Sequence, residues 1–175
     1  MNEIGNHEIS DGLESRVGLT ETDKELILKQ CENQKATSTE EVSAFTDAYR
    51  EAKKFAFTAT LSQLSEEEVL SLVKDLAELT VPQTKGQYRT VPVTFRSGER
   101  GIDPALIERA MSSWAQAFAA NQLSALEAYE EFEKIHPFVD GNGRVGDLVW
   151  KIATVKESGK WPEELPPDVF GGSND

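Results

Sequence analysis

The chain has 175 residues, with 18 lysines and arginines against 31 aspartates and glutamates and a net charge of −13. That length fits one ordinary domain with enough core to fold without disulfides or a structural metal. The charge opposes binding to nucleic acid or to an anionic membrane, since both need clustered cations, and the single cysteine, Cys31, excludes a disulfide framework and a cysteine-based zinc site.

Met1 to Gly18 has no periodicity and reads as a loose arm. Its start lacks the apolar run of a signal peptide. No stretch approaches the roughly 18 apolar residues of a membrane span. The expected location is cytoplasmic, within a host cell if the protein is an effector or phage-encoded. Asp23–Lys35 carries Leu26, Ile27 and Gln30 among charged neighbours, a weakly amphipathic short helix. Thr37 or Ser38 can cap the next helix, with Glu40 and Glu41 at the positive end of its dipole. Val42, Phe45, Tyr49, Ala52, Ala56 and Ala59 keep helical spacing towards Gln63. Ser65 with Glu66, Glu67 and Glu68 marks a second start. Val69, Leu72, Val73, Leu76 and Leu79 form its buried stripe, ended near Pro82.

Gly86–Phe95 changes character. Tyr88, Val91, Val93 and Phe95 are β-formers spaced by two or three, and Pro92 confines them to an edge strand or an irregular hairpin. Ser97–Gly101 reads as its turn. Asp103-Pro104 opens a helix carrying Leu106, Ile107, Met111, Trp114 and Phe118. Leu126, Tyr129, Phe132 and Ile135 form another. After a glycine-bearing loop, Arg144–Lys156 resumes helical spacing, and a proline-broken tail follows. The expected fold is all-α, a helical bundle with one small β element. Residues 1–36 form an arm and short helix, 37–157 the domain and 158–175 the tail.

The segment His136-Pro137-Phe138-Val139-Asp140-Gly141-Asn142-Gly143-Arg144 concentrates the chemistry. A histidine ends a buried helix, a carboxylate follows, and Gly-Asn-Gly leads into a new helix. Glycines at a helix N-terminus let backbone N–H groups approach an anion with no Cβ in the way. Arg144 adds a planar cation suited to phosphate oxygens. Asp140 suits Mg²⁺, which takes a carboxylate together with phosphate oxygens. His136 is a residue type that takes protons from hydroxyls. Together they describe chemistry on a phosphate ester or anhydride. Taken singly, Gly-Asn-Gly is an ordinary turn and His-Pro an ordinary helix end.

The whole segment resembles the signature of the Fic family, His-Pro-Phe-x-Asp-Gly-Asn-Gly-Arg. Phe132-Glu133-Lys134-Ile135 leads into it as the family's approach helix does. Gly86-Gln87-Tyr88-Arg89, with Val91 and Val93, resembles the family's flap hairpin. The resemblance covers roughly Leu61 to Lys156. It implies a helical bundle with a β-hairpin flap that transfers AMP from ATP, or a related phosphate-containing group, to a Ser, Thr or Tyr hydroxyl of a target protein. His136 would be the general base and Asp140 the Mg²⁺ ligand. Gly141, Asn142 and Gly143 would form the anion hole, and Arg144 would neutralise charge developing on the donor. Thr90, Val91 and Pro92 would pin the target by strand-type hydrogen bonds.

Two departures matter. The family motif continues Arg-x-x-Arg, and here Asp147 stands where the second arginine would be. A carboxylate there would repel the terminal phosphate of ATP. The donor then lacks a γ-phosphate, another cation such as Arg89, Arg96 or Arg100 substitutes, or transfer is weakened or lost. Secondly, the nearest approach to the family's inhibitory (Ser/Thr)-x-x-x-Glu-(Gly/Asn) helix is Ser10–Ser15. Its last position does not fit and Gly12 makes it a poor helix, so no internal restraint is expected. Two competing functions remain: a non-catalytic binding module with a Fic-like fold, and a kinase-like transfer in the manner of Doc toxins, against which Gly143 argues because the Doc-type loop carries a lysine there. Trp114, Met111 and Phe118 read as core, Trp161 as docking back onto the bundle, and Cys31 as no nucleophile.

Overall fold

The computed structural model describes residues 15–168. Its helices are α1 (Glu21–Asn33), α2 (Thr39–Thr58), α3 (Glu66–Thr80), α4 (Ile107–Ala119), α5 (Ala125–Ile135) and α6 (Asn142–Ser158). Local chemistry sets where they begin. Ser38 accepts from the Glu41 amide at the start of α2. Thr20, Ser65 and Ser124 form reciprocal capping boxes with Asp23, Glu68 and Glu127. Each such cap stabilises its helix by about 1 kcal/mol. The Ser38 and Ser65 starts match the sequence expectation. Asp103 caps a single 3₁₀ turn, Pro104–Leu106, before α4 begins.

The last helix lies at the centre of the bundle. It packs against α5, α2 and α3, and residues 141–153 are buried without a break. A helix enclosed on every side has no polar face to reveal it. Around it Phe45, Tyr49, Phe132 and Phe138 are fully buried, each stabilising the fold by about 1.5–3 kcal/mol through lost contact with water. Trp114 belongs to this core. Its ring meets Phe118 and Phe132, and its indole N–H donates to the Ala128 carbonyl at 3.0 Å.

The chain after α6 returns to the bundle. Trp161 stands edge-on to Tyr49 with centroids 5.5 Å apart, and its indole N–H reaches Asp23 at 3.2 Å. Docking, expected for this residue, is what the structure has. No helix among the described residues is long and apolar enough to cross a membrane.

The β element takes a different form from the one expected. Among the described residues, Gly86–Phe95 forms no strand, and pairing is reduced to one isolated antiparallel bridge between Thr94 and Arg100. The Phe95 amide donates to Glu99 at 2.8 Å and the Gly101 amide to Val93 at 2.9 Å, closing a narrow loop. Pro92 has no N–H to give a ladder. The approach to the loop is held instead by Arg89, a side chain rather than a strand.

Candidate active site

His136 caps α5 in the left-handed region, with φ 48° and ψ 62°. Its amide still closes the helix on Phe132 at 3.0 Å. The residue is buried, and the Phe95 ring from the narrow loop meets the imidazole edge-on, centroids 5.3 Å apart. A left-handed residue turns the chain sharply. Pro137–Gly141 then connect it to the start of α6.

Asn142 closes this turn. Its side chain accepts from the Phe138 amide at 2.9 Å and donates to the Phe138 carbonyl at 2.7 Å. This staple fixes Phe138 in the core. The Asn142 side-chain amide is thus engaged within the loop, which leaves its backbone N–H for the anion contact expected of this residue. Gly141 adopts φ +84°, and a Cβ there would stand 2.9 Å from Val81 Cγ2. Left-handed geometry and close approach both require glycine.

Asp140 and Arg144 meet at the mouth of α6. Asp140 Oδ1 accepts from the Gly141 amide at 2.7 Å and from Arg144 Nη2 at 3.3 Å. The Asp140 side chain is largely exposed, whereas that of Arg144 is only 3% exposed. Arg144 Nε is buried with no hydrogen-bond partner. The first amides of a helix have no intrahelical acceptor, and here Gly141 supplies no side-chain cap for them. An orphaned guanidinium nitrogen, uncapped amides and the positive end of a helix dipole together favour an anion. Both residues line a cleft of about 650 Å³, walled also by Thr80, Val81, Val139 and Glu41. His136 lies outside this wall, under Phe95. Thr90, Val91 and Pro92 are exposed on the approach to the narrow loop and do not line the cleft.

Among the described residues no group of three or more metal-binding side chains exists. Asp140 is one exposed carboxylate beside an anion cradle. That donor set fits Mg²⁺, which commonly takes one or two protein carboxylates and fills its remaining positions with substrate phosphates and water.

The structure also brings in residues that sequence reasoning passed over. Gln34 ends α1, and its amide lies against Gly143, where any Cβ would overlap it. Gln30 Nε2 donates to Asp147 Oδ2 at 2.9 Å, and the other Asp147 oxygen is ion-paired with Lys151. All three are buried. Asp147 is therefore not a bare carboxylate facing a phosphate: its charge is matched in place. The i,i+4 spacing of Asp147 and Lys151 was the available signal. Of the three arginines considered as substitutes, Arg89 is buried and engaged with the carbonyls of Val91, Ile102, Ile135 and His136. Arg96 and Arg100 lie on the exposed narrow loop. Cys31 is buried, and burial pushes its thiol pKa up, which suits no nucleophile. The motif-like stretch from Ser10 to Glu14 lies outside the described residues.

Residues 63–152 match the Fic/DOC family. No curated protein matches the chain. Among solved structures, that of a segment of Fic-1 from C. elegans is similar with a TM-score of 0.52 and 20% identity, covering 89% of this chain and 48% of that one. This chain spans about half the length of that structure, and the likeness is one of fold.

Proposed function

The chain belongs to the Fic/DOC family, and we propose that it is a protein nucleotidyltransferase that moves AMP, or a related phosphate-containing group, to a hydroxyl of a target protein. The observation that carries this reading is Arg144. Its side chain is buried, its Nε has no partner, and it stands beside Asp140 and the open end of α6. A buried, under-satisfied guanidinium is costly to keep unless an anion completes it.

In the proposed reaction the donor phosphates lie on the amides of Asn142 and Gly143 and on Arg144. Asp140 would hold Mg²⁺, which neutralises phosphate charge when bound. His136 accepts the proton as the target oxygen attacks the α-phosphorus. The bond from that phosphorus to the bridging oxygen breaks, and pyrophosphate leaves when ATP is the donor. Arg144 stabilises the charge that gathers on the phosphoryl oxygens. The Phe95 ring lies edge-on against the imidazole that the target hydroxyl would approach.

A donor without a third phosphate is the second reading, and Asp147 favours it. Lys151 and Gln30 already engage that carboxylate, so the position offers no free cation to a γ-phosphate.

Intact mass spectrometry after incubation with Mg²⁺ and, separately, each nucleoside triphosphate, NAD and CDP-choline tests both readings, alone and with lysate. A His136-dependent mass gain is expected, and its size names the group. No gain with any donor, while another family member reacts, would move the assignment to a non-catalytic module.

A further inference from the structure

Arg89 is buried and its guanidinium is spread over four backbone carbonyls. Nε donates to His136 O at 2.7 Å, Nη1 to Val91 O at 2.8 Å, and Nη2 to Ile102 O at 2.9 Å and Ile135 O at 3.4 Å. Its own amide donates to Pro137 O at 2.8 Å. Carbonyls at the C-terminus of a helix have no intrahelical donor and carry the negative end of its dipole. Ile135 and His136 supply two of them. Val91 and Ile102 lie on either side of the narrow loop that carries Phe95. One side chain thus joins the backbone of His136 to both stems of the loop that covers its ring.

We propose that Arg89 is a positioning residue for His136: it holds the left-handed backbone at 136 and, through the loop stems, the Phe95 ring against the imidazole. The inference rests on the reading of His136 as general base. A non-glycine residue in the left-handed region is sterically disfavoured, so its geometry needs outside support. The fork geometry of a guanidinium supplies several donors at once. A lysine ammonium keeps the charge with three donors and no planar fork.

The test compares wild type, Arg89→Lys and Gly101→Ala. Gly101→Ala keeps every Arg89 donor but sets a Cβ 3.2 Å from Arg89 Nη2 and 2.6 Å from Val93 Cγ2, so it pushes on the same fork should Arg89→Lys fail to fold. Circular dichroism establishes the folded state. NMR follows the imidazole resonances of His136, identified by their loss in His136→Ala. Transfer kinetics give kcat and KM separately. The expected result for a folded variant is displaced His136 resonances and a kcat lower by about 10²-fold, the scale of a misplaced reacting group, with the donor KM within about twofold. Unchanged His136 resonances in a folded variant would overturn the proposal. So would a loss carried by KM alone. If the wild-type protein transfers nothing, the reading of its function fails, and the NMR comparison by itself still decides whether Arg89 positions His136.

Discussion

Gln30 donates a hydrogen bond of 2.9 Å from its side-chain amide to the Asp147 carboxylate, joining α1 to α6 across 117 residues. With Lys151 on the other oxygen, the carboxylate is enclosed and fully buried. Charges are kept this deep only when paired and hydrogen-bonded. The replacement of an expected arginine by Asp147 is therefore one part of a group of three side chains.

Asp147→Ala should leave Lys151 as an uncompensated buried cation and destabilise the fold by about 3–5 kcal/mol. Asp147→Leu with Lys151→Met should recover most of that loss, because no charge is then stranded. Asp147→Arg alone should fold worst, with two cations in one dry site. Urea unfolding of the four proteins checks the order. Equal stability of the first and second variants would show that Lys151 is not held by this pair.

The glycines of the signature segment should respond differently. Gly141→Ala meets both a left-handed backbone and Val81, so it should cost roughly 1–2 kcal/mol or more. The nearest atoms that Gly143→Ala would meet are the flexible end of Gln34, which can swing away. It should leave stability within about 1 kcal/mol, since alanine favours the helix, while displacing Gln34 from the cradle. Thermal melts separate the two, and Gln34→Ala in the Gly143→Ala background should restore any lost melting temperature.

The Asp23 carboxyl is raised by burial, but hydrogen bonds from Lys53, Thr20 and Tyr49 outweigh burial and hold its pKa below 3.8. Lys53 Nζ lies 2.7 Å from it. A depressed carboxyl pKa contributes stability above the unfolded-state value and loses it as pH falls through the folded-state value. Asp23→Asn should therefore destabilise strongly at pH 7, by about 3–5 kcal/mol for a buried pair broken on one side. Its difference from wild type should shrink below about pH 4. Urea midpoints at pH 7 and pH 3 measure this. A difference independent of pH would remove the ionised pair from the account.

Phe95 covers the His136 ring, and the residue is only 8% exposed. Phe95→Ala should raise the rate at which diethylpyrocarbonate modifies His136, read by peptide mass spectrometry, with His7 as the internal reference. An unchanged rate would mean that another group shields the imidazole.

Much of the fold was legible in the sequence because its causes are local. Serine followed three residues later by glutamate announced the starts of α2 and α3, since the cap lies within one helical turn. Apolar spacing marked the amphipathic α4 and α5. The bounds of α6 were less legible: its signal is blurred by a helix buried all round, which begins at Asn142 rather than Arg144. The hairpin expectation failed in form because β-propensity reports a fit to a sheet, and here Arg89 rather than a neighbouring strand takes up the backbone carbonyls.

The sequence by itself determined the contiguous chemistry: the histidine, carboxylate, glycines and arginine between 136 and 144, and the family to which they point. Within the segment, the turn from Phe138 to Asn142 is set by its own residues, through the left-handed Gly141 and the Asn142 staple. Only the tertiary structure decided what surrounds that segment. Gln30 and Gln34 reach it from α1, Arg89 ties it to the narrow loop, and Lys151 neutralises Asp147 within a closed core. Which polar partners become buried together is set by how helices distant in the chain pack, because a buried charge or amide must be satisfied by whatever group the fold brings within hydrogen-bonding distance.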